Sequence, residues 1–473
     1  MNKANNLLKT IIEAKQKFKI HFVGIGGVST SSLAIYLKNL GHRVTGSDVQ
    51  KSQITKQLQQ EQINVFYGHN SKNVEGCNVV IYSYAVQHGV EVKEAQRLNI
   101  PCFSRAQLLG AILKTYKTPI CVAGAHGKTT TTALIYTILK QANKNVNLHL
   151  GGTLAGNKNA NELELDDGKK DIIVCEACEY KDAFLNLKPA ISVVTNIAPE
   201  HLDYFKNFNN VKKSFNKFAK SANVLICENL QELQNKNKIF FGINNKKTQK
   251  NTQFLQNHKK IINNLGFVAQ NLKMQKDGTY VFSCYKNAKF YGKFHINLIG
   301  EHNVKNAVCA IAVADHLGIS KCVIQKSLST FGGVQRRFEV LNKQKFIVHD
   351  YAHHPQEINA VIGETQKFYK GKLLIVFQPH TYSRTKTLMA DFVDCFKNLN
   401  DVVIYKTYSA REKYSCSGSA KTLAKNIGTQ AVYFKNKSQL LQFVNNKIQN
   451  NYGVLFLGAG NINEIAKNVI NLC

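Results

Sequence analysis

At 473 residues and 53.0 kDa, with 44% hydrophobic and 19% charged residues, the chain is long enough for about three domains and too apolar to be disordered throughout. Lysine and arginine total 62 against 30 acidic residues, a formal net charge of +32. Only seven of the 62 are arginine (Arg43, Arg97, Arg105, Arg336, Arg337, Arg384, Arg411), the side chain that planar phosphate and base recognition favours, and the lysines are scattered beside asparagines. Nucleic acid is therefore not an expected partner.

From Lys19 the sequence reads as strand, glycine turn, helix and strand. Residues 20–23 are a short apolar run, Gly24-Ile25-Gly26-Gly27 the turn, 31–39 a helix closed by Gly41, and 43–46 a second strand running into Ser47-Asp48. Another strand is expected at 79–83 and a helix at 92–98. The pattern restarts at 120–123, which leads through a glycine loop into a helix over 129–140. It restarts again with strands at 372–377, 402–405 and 454–457. Such alternation predicts α/β architecture, with mostly parallel sheets and helices on their faces. A Lys/Asn/Gln-rich stretch at 235–291 carries short β-like pieces such as 279–284 and has no assigned place in this scheme. No run approaches the length of about 20 apolar residues that a membrane span needs, and the first residues lack a secretory signal's apolar core. A soluble, cytoplasmic location is expected.

Gly124-Ala125-His126-Gly127-Lys128-Thr129-Thr130-Thr131 is the expected nucleotide site, set between a strand and a helix. Glycines let backbone N–H groups converge on a phosphate, and the helix N-terminus adds partial positive charge. Lys128 is placed to reach the terminal phosphates and Thr129 to hold Mg2+, in a shortened G-x-x-G-K-T loop with Val122 where an earlier glycine is standard. An ordinary strand–turn–helix connection is the bland alternative, and the Gly-Lys-Thr-Thr-Thr run argues against it. Gly24-Ile25-Gly26-Gly27-Val28-Ser29 is similar to a dinucleotide fingerprint, with Ser29 where the third glycine belongs. With Asp48 ending the next strand, it predicts a nucleotide diphosphate at the sheet's C-terminal edge without specifying NAD.

Glu176 and Glu179 follow one apolar run, and Glu200, His201 and Asp203 another. Both groups are thus expected on the edge that carries the phosphate loop, where carboxylate and imidazole suit Mg2+. Cys175 and Cys178 form a lone C-x-x-C among twelve cysteines and read as strand-end thiols rather than zinc ligands. Further on, His302-Asn303-x-x-Asn306, Gln335-Arg336-Arg337-Phe338-Glu339, His349-Asp350-Tyr351-Ala352-His353-His354 and Gln378-Pro379-His380-Thr381-Tyr382-Ser383-Arg384 set polar groups beside apolar strands. Adjacent His353 and His354 cannot face the same way on one element, which favours substrate and nucleotide contacts over zinc. Arg384 is a candidate fork for a substrate carboxylate; the bland alternative is a surface salt bridge.

Taken in order, Gly-Ile-Gly-Gly, Gly-x-His-Gly-Lys-Thr-Thr-Thr, Glu-Ala-Cys-Glu-Tyr, Glu-His-x-Asp, His-Asn-x-x-Asn, Arg-Arg-Phe-Glu, Asp-Tyr-x-His-His-Pro and Gln-Pro-His-x-Tyr-Ser-Arg resemble the motif series of the Mur ligases, from residue 18 to Ile462. The last two motifs point to the members that join L-alanine to UDP-N-acetylmuramate, or to the murein-peptide ligases. The resemblance implies three domains: a Rossmann-like UDP-substrate domain at 1–116, a central P-loop ATPase domain at 117–332, and a C-terminal Rossmann-like domain on the amino-acid side at 333–473. It implies ATP and Mg2+ as cofactors, with UDP-N-acetylmuramate and L-alanine as partners, in cytoplasmic peptidoglycan precursor synthesis; it implies no oligomeric state.

The same resemblance implies roles residue by residue. His21, Gly24, Gly26, Gly27, Asp48 and Ser83 would contact the UDP moiety, and Arg105 the muramoyl part. Gly124, Ala125, His126, Gly127, Lys128, Thr129 and Thr130, with Asn303, Arg337, Asp350 and Tyr351, would bind ATP. Thr129, Glu176 and His201 would hold the metal. Lys128 would act on the phosphates, and His353, His380 and Arg384 on the amino-acid side. Three positions depart from the family pattern: Ala125 where Thr is usual, Ser29 where Gly is usual, and Tyr84 where a small residue is usual. Among competing readings, a nicotinamide-dependent dehydrogenase leaves the Gly-Lys-Thr-Thr-Thr loop unexplained. A nucleic-acid-binding NTPase is opposed by the scarcity of arginine. The nearest competitor is a Mur-type ligase for a different amino acid or peptide.

Overall fold

The computed structural model describes residues 2–155, 163, 170–228, 232–244, 266–410 and 412–470. Their strands form three sheets. The first holds β1 (Lys19–Val23), β2 (Arg43–Asp48), β3 (Asn64–Tyr67), β4 (Val79–Tyr82) and β5 (Cys102–Ser104), all parallel, in the order β3-β2-β1-β4-β5. The order reverses between β1 and β4, the kind of switch point beside which ligands bind at the C-terminal edge of such sheets. The loops after these two strands carry Gly24 and Ser83.

The second sheet holds β6 (Thr118–Ala123), β7 (Val146–His149), β8 (Ile172–Glu176), β9 (Ile191–Val194), β10 (Val224–Glu228), β11 (Lys238–Ile243), β12 (Gly266–Met274), β13 (Tyr280–Lys286) and β14 (Lys289–Ile296). Its order is β14-β13-β12-β11-β10-β9-β6-β8-β7, and every pair from β7 to β12 is parallel. The Lys/Asn/Gln-rich stretch left unplaced by the sequence thus supplies the far strands of this sheet, and its part at 245–265 lies outside the described residues. The third sheet holds β15 (Glu339–Asn342), β16 (Ile347–Asp350), β17 (Leu373–Phe377), β18 (Val402–Tyr405), β19 (Ala431–Phe434) and β20 (Gly453–Leu457), in the order β15-β16-β20-β17-β18-β19. Only the β15–β16 pair is antiparallel.

The chain divides into two compact units: Met1–Lys273, Val281–Asn297 and His302–Gly332 form one, and Met274–Tyr280, Leu298–Glu301 and Gly333–Cys473 the other. In the first unit, side chains of the first sheet and its helices (Phe22, Leu33, Leu108) share one apolar core with those of the second (Cys121, Ile173, Phe215). Central strands here are largely apolar because both faces are covered, as in β9, buried at all four positions with Ser192 its one polar residue.

Phe184 closes this core beneath the segment that follows β8. It is fully buried, stacked on Phe218 at 4.8 Å and edge-on to Phe215 at 5.2 Å. Truncation there removes both ring contacts and leaves a cavity. Phe184→Ala is expected to cost about 3–5 kcal/mol in denaturant unfolding; a loss below about 1 kcal/mol would show that the site collapses without penalty.

Candidate active-site groups

The loop between β6 and the helix Lys128–Gln141 has the backbone a phosphate cradle needs. Gly124 and Gly127 lie at φ +142 and +81, and a Cβ on them would come within 2.0 Å of Thr195 Oγ1 and 2.5 Å of Asn306 Oδ1. The loop is clamped from the end of β9. Asn196 Oδ1 accepts from His126 N at 2.9 Å, while Asn196 Nδ2 and Thr195 Oγ1 donate to His126 O at 2.9 and 2.6 Å. From the helix Glu301–His316, Asn306 Oδ1 accepts from Thr131 Oγ1 at 3.3 Å, and Asn306 Nδ2 donates to Asn303 Oδ1 at 3.0 Å. Asn303 is thereby tied to the loop through Asn306.

Lys128 Nζ donates to the carbonyls of Gly124 and Ala125 and lies 3.1 Å from Glu179 Oε1. Burial works to lower the Lys128 pKa, but the carboxylates, Glu179 first, outweigh it and hold the ammonium above its ordinary value. Glu179 is itself buried; its Oε1 lies 3.9 Å from His201 Nε2, and its Oε2 has no hydrogen-bond partner among the described residues. Glu176, at the end of β8, accepts from Gly151 N at 2.9 Å. His201 adopts the left-handed conformation (φ 56) and packs its ring 4.8 Å from that of Tyr180. Thr129, Glu176 and His201 thus gather on one sheet edge, and Glu179, noted in the sequence but given no role, stands among them. A buried carboxylate oxygen with no donor suits a divalent cation, so these residues fit Mg2+.

In the first sheet, Asp48 Oδ2 accepts from Gly26 N at 2.9 Å and braces the glycine turn, while a Cβ on Gly24 would meet Ser83 Oγ at 2.8 Å. His21 lies beneath the turn, fully buried, with Nδ1 2.9 Å from Thr45 Oγ1 and Nε2 3.5 Å from Glu91. Its expected place at the UDP moiety is thus screened by its own neighbours. Glu91, which no sequence motif marks, is equally buried; it accepts from Ser47 Oγ and Asn73 Nδ2 at 2.6 Å and lies 2.7 Å from His69 Nδ1. Burial works to raise its pKa, yet the bonds from His21, His69, Ser47 and Asn73 hold it well below the carboxylate range. Arg105 Nη1 donates to Ser29 Oγ at 2.6 Å.

In the second unit, Asp350 ends β16, buried, and accepts from Phe338 N and Ala352 N at 2.7 Å. Burial pushes it up to about 6 against Arg337 and those two N–H groups. The guanidinium groups of Arg336 and Arg337 both lie over the Tyr351 ring, at 4.9 and 4.8 Å from its centre. Arg336, which the motif reading left without a role, donates to the carbonyls of Ala459 and Gly460 at 2.8 Å. His353 and His380 face each other at 5.8 Å, His380 lies on Tyr408 at 5.4 Å, and Arg384 Nη1 is 3.3 Å from His380 Nδ1. Arg384 is paired with no carboxylate among the described residues, which leaves its fork available. Burial, then the positive fields of His353 and Arg384, lowers His380 to about 4; burial likewise lowers His353. The His380 ring is neutral at pH 7.

Burial, then Arg336, also lowers His349 to about 3. Unfolded histidine titrates near 6.5, so below that pH the unfolded chain binds protons that the folded one refuses, and stability falls as pH drops from about 6.5 towards 3. Each such group steepens the fall by about 1.4 kcal/mol per pH unit. Relative to the parent chain, His349→Leu should flatten the stability difference between pH 7 and pH 5 by about 1–2 kcal/mol in denaturant titrations. An unchanged difference would show that His349 does accept the proton.

Three family models cover most of the chain: the Mur ligase family catalytic domain at 19–117, the Mur ligase middle domain at 122–314, and the Mur ligase glutamate ligase domain at 336–460. A UDP-N-acetylmuramate–L-alanine ligase of Caldanaerobacter subterraneus subsp. tengcongensis is 36% identical over 96% of this chain and 97% of its own. A protein of the same name from Aquifex aeolicus is 37% identical over 94% and 96%. Among solved structures, UDP-N-acetylmuramate-alanine ligase MurC of Thermotoga maritima superposes with a TM-score of 0.78 at 24% identity, covering 96% of this chain and 99% of that one. A murein peptide ligase of Psychrobacter arcticus does so with a TM-score of 0.67 at 20% identity, over 96% and 98%. Sequence models and near-full-length relatives agree on one assignment: the chain belongs to the Mur ligase family.

Proposed function

We propose that the protein is an ATP-dependent ligase that joins L-alanine to the lactyl carboxylate of UDP-N-acetylmuramate, in cytoplasmic peptidoglycan precursor synthesis, with domains at 1–116, 117–332 and 333–473. The observation that carries this reading is the buried Lys128–Glu179 pair in a strand-edge phosphate loop, in a chain related along its whole length to ligases of that name. We read His21, Gly24, Gly26, Gly27, Asp48 and Ser83 as the UDP side, with His21 acting through its buried network. Arg105 faces the muramoyl carboxylate. The loop 124–130 with Asn303, and Arg337, Asp350 and Tyr351, bind ATP.

The free carboxylate is a poor acyl donor. Its oxygen attacks the ATP γ-phosphorus, a new O–P bond forms, ADP leaves, and the acyl phosphate carries a good leaving group. The amine of alanine then attacks the carbonyl carbon, phosphate departs and the C–N bond remains. Lys128 offsets charge on the transferring phosphoryl oxygens. Thr129, Glu176 and His201, with Glu179 beside them, would hold Mg2+, which would supply further positive charge to the phosphates. His353 and His380 are the imidazoles on the amino-acid side that would take the proton the attacking ammonium must lose, and the Arg384 fork would hold the alanine carboxylate.

Lys128→Ala is expected to lower ATP-dependent phosphate release by about a thousandfold. It also strands Glu179 as an unpaired buried charge, so stability should fall by about 3–5 kcal/mol. Adding Glu179→Gln should restore the unfolding midpoint without restoring turnover; recovery of turnover in the double variant would remove Lys128 from the reaction.

The Arg384 fork gives a separate test. With UDP-N-acetylmuramate and ATP saturating, Arg384→Lys should raise the KM for alanine by about tenfold or more, because an ammonium cannot make the bidentate contact. An unchanged alanine response would return Arg384 to a structural role. Phosphate release measured with each amino acid in turn tests the reading as a whole, and a preference for another amino acid or a peptide would move the protein to a different reaction of the family.

A further inference from the structure

Three residues from separate elements meet beside the glycine turn. Ser29 is the second residue of the helix Val28–Asn39, Arg105 the first of the helix Arg105–Leu113, and His149 the last of β7. Arg105 Nη1 donates to Ser29 Oγ at 2.6 Å, and Ser29 Oγ lies 2.7 Å from His149 Nε2. All three belong to the first compact unit. His149 is 1% exposed, and its Nδ1 has no hydrogen-bond partner among the described residues.

We propose that Ser29 and His149 are positioning residues that aim the Arg105 guanidinium at the lactyl carboxylate of the UDP-sugar substrate. The proposal rests on the reading of Arg105 given above and adds to it the two side chains that hold the arginine. Whichever imidazole nitrogen carries the proton, one lone pair of the serine oxygen remains for the guanidinium. Burial, then the charge of Arg105, holds the His149 pKa down at about 3, so the ring stays neutral and does not repel the arginine. Glycine, usual in the family at position 29, offers no oxygen at all. A buried imidazole left with an unpaired nitrogen is costly, which is expected where a side chain is retained for what it orients. The remaining guanidinium N–H groups have no carboxylate partner among the described residues. The charge of Arg105 also acts on Cys178, just after β8, on the edge that carries Glu176 and Glu179.

The test is calorimetric binding of UDP-N-acetylmuramate and of UDP, without ATP or alanine, to the full chain and to Ser29→Gly, Ser29→Thr, His149→Leu and the Ser29→Gly/His149→Leu double variant. Ser29→Gly and His149→Leu should each weaken UDP-N-acetylmuramate about tenfold and UDP less than about twofold. The double variant should be no weaker than the worse single one, since both act through one arginine. Ser29→Thr, which keeps the hydroxyl, should bind as the parent does. Equal weakening of UDP, additive losses in the double variant, or unchanged UDP-N-acetylmuramate binding in Ser29→Gly would each overturn the proposal. Should His149→Leu fail to fold, the contrast between Ser29→Gly and Ser29→Thr decides by itself. A parent chain that binds UDP but not UDP-N-acetylmuramate would instead overturn the substrate reading.

Discussion

The parallel register of β8, β6 and β9 is the constraint on which the active-site groups of the first unit depend. Val122 of β6 lies opposite Glu176 of β8 on one side and Val193 of β9 on the other. The three chains therefore leave the sheet at one level, and the phosphate loop, the Glu176–Glu179 segment and the Thr195-Asn196 pair emerge side by side. No local preference could bring them together, because they lie as much as 70 residues apart. Once there, Glu179 and Lys128 neutralise each other in a buried setting. Removing charges from water is expensive, so such a pair contributes more to placing the ammonium than to net stability.

Charge is distributed by chemistry more than by number. The lysines dominate the net +32, and most of their ion pairs are solvent-exposed contacts of the kind that contributes little, as between Lys117 and Asp171. Arginine is scarce and is used where a rigid planar fork is needed. Arg105 is held by Ser29, Arg336 clamps two carbonyls after β20, and Arg336 and Arg337 both lie over Tyr351. Arg384 stands against His380. A lysine at any of these places keeps the charge and loses the geometry.

Desolvation sets the protonation states in the second unit. The same burial raises Asp350 to about 6 and keeps His380 neutral, since both shifts disfavour the charged species. Burial and the nearby arginine keep the His380 imidazole in its unprotonated form, the form able to accept a proton.

The sequence by itself determined the alternation of strands and helices, the phosphate loop and the strand-end placement of Glu176. Each of these is written locally, in apolar periodicity, in glycines where φ must be positive, and in polar residues that directly follow an apolar run. Motif order was also enough to reach the family, because it reflects a sequence of strand ends. Tertiary structure alone decided the rest. The strands Lys238–Ile243 and Gly266–Met274 became sheet only through the pairing that starts at β10, since the polar composition around them gives a weak strand signal. Glu91 in its buried network, Arg336 on distant carbonyls, and His149 on Ser29 are contacts across 44, 123 and 120 residues. Such contacts leave no trace in spacing, because the side chains meet only after the sheets have formed and excluded water from between them.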